Sequence, residues 1–411
     1  MTKRTALALR IIIVVWAVLI VLLQTGLLHR HNKVPKSIQS SQFPQENGLH
    51  WFLVAVERMP KLDEWYNETS NTYFENGWRD DTRMIDQIER CRPSFEAIRK
   101  GIEVGNVKFS PQEFGDPEPY LDKWRELARL MTLQGMMQAS REDYEAVIDQ
   151  FNAVLDFGSE STGTGSLIAH LAGNAMQGIG MRQLCKVLKA PGVTAEQCRA
   201  VGAHLDALHQ KAPALADAIG READSLELWS QRRPSLQDFY TDFVKAVSDT
   251  GEAEQLAGSA TPEQCRRLLN ETVASIREAA PMFDAPFYVF DNIACQQLAA
   301  GNALSKYIVD SYHGLPECET RCGMQRVGTR LVAAIEEYRR ENGVYPDTLD
   351  ALVPSILPQL PNDPFSGLSF RYAKQFDDYR LYSVGANLRD DGGAGSPWDC
   401  GQDDYVIAGQ D

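Results

Sequence analysis

Ile11 to Leu23 is an unbroken run of thirteen apolar residues, and continuing through Gln24, Thr25 and Gly26 to Leu28 lengthens it to 18. A helix needs roughly 20 such residues to cross a bilayer. Arg10 stands at the edge, where a long stem carries its charge back to the headgroups. A basic start followed by a short apolar stretch is also the shape of a secretory signal, so a cleaved leader is the alternative. Nothing resembling Ala-x-Ala follows; the chain reads Gln-Thr-Gly-Leu-Leu-His-Arg-His after Leu23. The expectation is a single transmembrane helix over 11–28 behind a short cytoplasmic N-terminus at 1–10.

Flanking charge does not orient this helix, because Lys3, Arg4 and Arg10 on one side are matched by Arg30, Lys33 and Lys36 on the other. The eight cysteines tip the balance. An even number of them surviving as disulfides needs an oxidising compartment, which puts the body outside the cytoplasm. Buried free thiols in a cytosolic domain are the other reading. The formal charge is −15, yet the six basic residues of positions 1–36 face no acid there, so the body is more acidic than the whole chain. Such a body repels phosphates, which excludes nucleic acid as a partner. A hydrophobic content of 44% with 24% charged residues excludes wholesale disorder, and 411 residues are more than one compact domain usually holds.

Residues 29–49, with Pro35, Pro44 and several Ser and Gln, read as a linker, and 50–313 as a helical domain. Over Asp143 to Phe157, the residues Tyr144, Val147, Ile148, Phe151, Val154 and Leu155 recur at three and four, the stripe of an amphipathic helix. Leu121, Trp124, Leu127 and Met131 do the same before it, and a short join makes the two a hairpin. Helices are also expected at Ser166–Leu188, Thr194–Ala212, Glu222–Ser230, Ser235–Ser248, Thr261–Ala279 and Phe290–Tyr312. Cys185 and Cys198 lie six residues either side of Pro191-Gly192, at similar heights in an antiparallel hairpin, and are the disulfide candidates. The stretch Leu127 to Gly158 resembles a tetratricopeptide unit through Gly135, Tyr144, Ala146 and Ala153. No second copy follows, which favours an irregular stack of α-helical hairpins over a repeat array.

The pattern changes in a C-terminal unit at 314–411. Val327, Leu331, Ile335 and Tyr338 mark one face of a last helix ending near Asn342-Gly343. Five prolines from Pro346 to Pro364 then forbid a long helix, and Leu368–Ala373 and Asp378–Ser383 alternate as the strands of a hairpin do. The fold class is therefore mainly α, closing on a small α+β unit.

The elements Tyr345-Pro346, Leu360-Pro361-Asn362-Asp363-Pro364-Phe365, Tyr372 and Leu381-Tyr382-Ser383 with Gly385 occur in an order that resembles the periplasmic part of the major pseudopilin of type II secretion systems. The whole arrangement is also similar to bacterial proteins of the planctomycete kind that join an anchor and a helical domain to this ending. The pseudopilin resemblance implies a long helix on a short antiparallel sheet, followed by a calcium-binding loop. The chain lacks the prepilin peptidase site that precedes the sheet in that family, so assembly into a pilus by the usual route is not implied.

An acidic Gly-rich loop spans 386–411. Asp390-Asp391-Gly392-Gly393, with Asp403-Asp404 beyond, has the hard oxygens and flexible turn that calcium needs. The resemblance lays the family's calcium loop over this stretch with Ser383 near its start, making Ser383, Asp390, Asp391, Asp403 and Asp404 the candidate ligands. A solvated acidic tail accounts for the same letters, and the spacing is not that of an EF-hand.

Other signals are weaker. Ser161-Thr-Gly-Thr-Gly-Ser166 follows a helix and has no Lys after its glycines, which reads as loop punctuation. Cys318 and Cys322 are spaced for neither a redox motif nor a zinc knuckle. His170, His204, His209 and His313 have no carboxylate partner on the same helix face and read as surface or packing residues. Gly173, Gly178 and Gly180 read as permitting close helix contact. The expectation is a membrane-anchored extracytoplasmic binding or scaffolding protein with an envelope protein as partner and no catalysis. An accessory component of a type II secretion or pilus-like system is one alternative; an envelope hydrolase with a site between the helical and C-terminal units is the other.

Overall fold

The computed structural model describes residues 39–107, 120–163, 166–232, 261–290, 294, 305, 308–309, 311–394 and 404–409. The membrane helix expected at 11–28, the helix at 235–248 and most of that at 290–312 lie outside these residues, as do Asp403 and the acidic loop over 395–403. Among the described residues, no helix is long and apolar enough to cross a membrane.

The described chain is mainly helical. Its helices are α1 Gly48–Arg58, α2 Tyr66–Asn76, α3 Thr82–Arg90, α4 Arg92–Val104, α5 Leu121–Ser140, α6 Tyr144–Thr162, α7 Leu167–Leu188, α8 Ala195–Lys211, α9 Leu215–Arg232, α10 Pro262–Ala279 and α11 Leu315–Asn342. Residues 40–49, expected as the end of the linker, are instead part of the fold: Ser40 Oγ donates to Glu57 Oε2 at 2.8 Å, and α1 already begins at Gly48.

Local chemistry sets many of the boundaries. Asp143, Ser166, Thr194 and Thr261 each accept a backbone N–H from the first turn of the helix that follows, and Thr194 and Thr261 form capping boxes with Gln197 and Gln264. α11 ends at Gly343, whose φ of 76° is the left-handed cap that glycine adopts without a Cβ clash. α9 starts seven residues before the helix expected at Glu222. Leu215, Ala218, Ile219, Ala223 and Leu226 make one buried stripe, and Gly220 is carried inside the helix.

Two cores result. In the larger, Phe52, Trp124 and Phe157 pack edge to face at centroid distances of 4.8 to 5.8 Å and join α1, α5 and α6. α6 and α7 approach closely through Gly158 and Gly173: a Cβ on either would lie within 2.7 Å of the other's carbonyl oxygen. The smaller core joins α9, α10, Phe283 and Tyr312.

α11 connects the helical body to the sheet. Its residues Leu331 to Ile335 are fully buried on every side, because α7, α8 and the sheet all pack on it. The region from 314 onward and helices α1 to α8 therefore share one core. α7 and α8, expected as a hairpin packed on itself, both face α11. Arg340 of α11 closes this seam. It donates to the carbonyls of Leu188 at 2.7 Å and Ala190 at 2.8 Å and to that of Val193, satisfying the C-terminal end of α7.

The sheet is three-stranded and antiparallel, in the order β1 Arg371–Lys374, β2 Tyr379–Ser383, β3 Tyr405–Ala408. β1 and β2 form the expected hairpin, with Tyr372 opposite Leu381. β3 falls within the stretch expected as loop. It pairs with β2 across an irregularity at Leu381/Tyr382, and Tyr405, Val406 and Ala408 are buried.

Candidate functional site

The acidic turn at the end of the sheet brings several of the expected ligands together. Gly392 and Gly393 have φ of 76° and 77°, a left-handed pair that curls the backbone so that the N–H groups either side of Gly392 meet one acceptor. The N–H of Asp391 at 3.0 Å and that of Gly393 at 2.6 Å both donate to Oδ2 of Asp404, at the start of β3. Asp404 is only 1% exposed, and its other oxygen, Oδ1, has no hydrogen-bond partner. Burial pushes its carboxyl pKa up; the two N–H groups oppose this, and the charges of Asp390 and Asp391 add to it.

Asp390 differs. Its Oδ1 accepts from the Tyr382 hydroxyl at 3.0 Å and the Gly392 N–H at 3.1 Å, while Oδ2 pairs with Arg371 Nε at 2.8 Å. The Gly392 N–H, then Tyr382 and Arg371, hold its carboxyl below the usual range against the cost of desolvation. Asp391 Oδ2 accepts from Asn387 Nδ2 at 2.8 Å. Ser383 points elsewhere: its buried hydroxyl donates to Asp363 Oδ1 at 2.9 Å, and Asp363 also holds the Phe365 N–H and the Ser366 hydroxyl. Asp363, read only as part of the Leu-Pro-Asn-Asp-Pro-Phe element, is thus the residue that ties Ser383 to the proline-rich turn.

Calcium takes about six to eight oxygens. Among the described residues, no group of three or more His, Cys, Asp or Glu side chains could hold a metal ion. At this turn Asp404 keeps an orphaned oxygen near Asp391, whereas Asp390 is committed to Arg371 and Ser383 to Asp363.

The disulfide candidates are not joined. Cys185 and Cys198 are both free and buried, since α7 and α8 each turn toward α11. Cys185 Sγ donates to Thr329 Oγ1 at 3.4 Å. Burial pushes both thiols up to about 11, so neither is a nucleophile at neutral pH.

A second buried polar group crosses the α7–α11 seam. His170, 1% exposed, sits with Nε2 2.7 Å from Glu319 Oε2, which also accepts from Asn174 Nδ2 at 2.8 Å. Cys322 donates to Asn174 Oδ1 at 3.4 Å, and burial pushes its thiol up to about 11. His204 similarly lies 3.1 Å from Asp156. Both histidines thus have carboxylate partners on other helices, beyond what a reading of their own helix faces reaches. Glycine spacing in α7 pointed to the close packing, but no local signal marks these pairs.

No family model, curated protein sequence or solved structure matches this chain.

Proposed function

We propose that this chain is a membrane-anchored, extracytoplasmic binding or scaffolding protein of a bacterial envelope, held by the apolar segment at 11–28 and acting without catalysis. The observation that carries this reading is α11, packed at once on α7, α8 and the sheet. It makes the helical body and the C-terminal strands one piece, so the acidic turn keeps a fixed position relative to the helices. The resemblance of the last quarter to a periplasmic pseudopilin unit supports the orientation; the buried cysteines Cys91, Cys185, Cys198, Cys265 and Cys322, all free, lend it nothing.

Calcium is part of the proposal, with Asp391, Asp403 and Asp404 as ligands. The unpaired oxygen of Asp404 supports it, since a buried carboxylate is stable beside a bound cation. Bound there, the ion would fasten the turn at 390–393 to β3.

An enzyme working between the helical body and the C-terminal unit would draw on His170, Glu319 and Cys322. The raised Cys322 thiol weighs against that use. A role as an accessory part of a type II secretion or pilus-like machine is favoured by one observation, the long helix α11 on an antiparallel sheet.

Two measurements on native membranes test the reading. Alkaline carbonate should leave the chain in the membrane pellet, and protease added outside spheroplasts should digest the body. Recovery of a soluble chain that begins at Met1, or a body protected from that protease, overturns it. Co-purification of secretion components from the same membranes supports the accessory role.

A further inference from the structure

α11 carries five arginines, and four of them lie against a carboxylate: Arg321 against Glu317 at 2.5 Å, Arg330 against Asp206 at 3.0 Å, and Arg339 and Arg340 against Glu336 at 3.2 and 2.6 Å. Arg326 is the exception. It is only 5% exposed, and no ion pair joins it to a carboxylate among the described residues. Its Nη2 donates to Gln177 Oε1 at 3.1 Å and to Cys322 Sγ at 3.8 Å, and its Nε has no hydrogen-bond partner.

Neither contact supplies a negative charge. Gln177 is a neutral amide, and burial pushes the Cys322 thiol up to about 11, so it keeps its proton at neutral pH. Glu319, two turns before Arg326 on α11, is held by His170 and Asn174. A guanidinium cannot shed its proton to escape burial, so a buried one without a counter-charge is among the costliest groups a fold can hold. There is also room beside it. Helix side chains lean toward the N-terminus, so Arg326 lies over the turn at Cys322 and Gly323, as its bond to Cys322 shows. A Cβ on Gly323 would meet no atom within 4 Å, and Gly323 is half-buried, which leaves a path in from solvent.

We propose that Arg326 holds a small monovalent inorganic anion of the halide kind in the space beside Gly323, and that this ion fastens α11 to α7. One negative charge neutralises the guanidinium and accepts from its unpaired Nε–H in a charge-assisted bond. A divalent anion would leave a surplus charge buried on the side of Glu319.

Melting of the full chain in detergent and chelator, with chloride replacing gluconate at constant ionic strength, tests this. The expected result is a saturable rise of about 3 °C once chloride stands roughly tenfold above its dissociation constant, reproduced by bromide and not by sulfate. Arg326→Met, which keeps an apolar stem without the charge, should melt at one temperature in both salts. Gly323→Leu keeps the arginine, fills the space and favours the helix, and should lose the response as well; it carries the test if Arg326→Met fails to fold. The proposal is overturned by a melting temperature that chloride leaves unchanged, which is what a water in place of the ion would give. It is equally overturned by a chloride response that survives in either folded variant, or by a sulfate response as large as that to chloride.

Discussion

Glu336 on α11 and Asp404 on β3 are both buried carboxylates, and the protein holds them in opposite ways. Glu336 is fully buried, with Oε2 2.6 Å from Arg340 Nη1 and 3.2 Å from Arg339 Nε, and with Oε1 accepting from the Tyr345 hydroxyl at 3.2 Å. Asp404 has two backbone N–H groups on one oxygen and nothing on the other, and among the described residues no basic side chain pairs with it. A charge neutralised within the fold is part of its framework. A buried carboxylate with an orphaned oxygen retains capacity for a proton or a cation.

The largest effect belongs to the framework. Arg340→Met leaves Glu336 short of its main counter-charge and uncaps the carbonyls of Leu188, Ala190 and Val193. Breaking a buried pair in this way costs about 3 to 5 kcal/mol, readable by urea denaturation. Arg340→Lys should recover only part, because one ammonium cannot span Glu336 and three carbonyls. A loss under about 1 kcal/mol in Arg340→Met would erase the distinction between the two carboxylates.

The next effect belongs to the turn. Calcium at a hundred times its dissociation constant should stabilise the soluble body by about 2.7 kcal/mol relative to chelator. Asp404→Asn should lose that response while remaining folded, since it keeps an acceptor for the two N–H groups. A melting temperature that calcium leaves unchanged in the unaltered protein would remove the ion from the turn.

These contrasts separate what the sequence makes legible from what it hides. The stripe of α6, the helix starts at Ser166 and Thr194, the left-handed stop at Gly343 and the β1–β2 hairpin are local, each set by residues within about a turn or two. The packing of α7 and α8 onto α11 is set by contacts more than a hundred residues apart, as His170–Glu319 and Arg340–Leu188 illustrate. No periodicity encodes such pairings. β3 was hidden for another reason: Tyr405 to Ala408 is a short run beside many acids, and its burial depends on β2 and α11 already being there. At the turn, the acid-and-glycine pattern pointed to Asp390, Asp391 and Asp404 together. It did not reveal that Arg371, brought in by β1, takes Asp390.

The thiols test the same seam. With Cys185 and Cys198 free and facing α11, replacing each by Ala should cost about 1 kcal/mol, and the double variant about the sum. A disulfide between them would instead make the single and double replacements equally costly, at about 3 kcal/mol for so short a loop. That outcome would force α7 against α8 and displace α11 between them.

The smallest effect is the sharpest comparison, because Asp390 and Asp404 belong to one turn and carry opposite signs. The raised Asp404 carboxyl binds its proton more tightly in the folded chain. In chelator, its contribution to stability is full below the unfolded value near 3.8 and is lost as pH rises through the folded value. The lowered Asp390 carboxyl contributes stability above its unfolded value, lost as pH falls through the folded one. Asp390 is 42% exposed, so solvent screening keeps its effect below about 1 kcal/mol. Denaturation of the unaltered protein, Asp390→Asn and Asp404→Asn across the acidic range should therefore give difference curves of opposite slope. Calcium should flatten or reverse the Asp404 curve at neutral pH, where it binds the ionised form, and leave the Asp390 curve in place because Arg371 already neutralises that group. If both curves slope the same way, the orphaned oxygen of Asp404 is satisfied in solution and the turn has no capacity left for an ion.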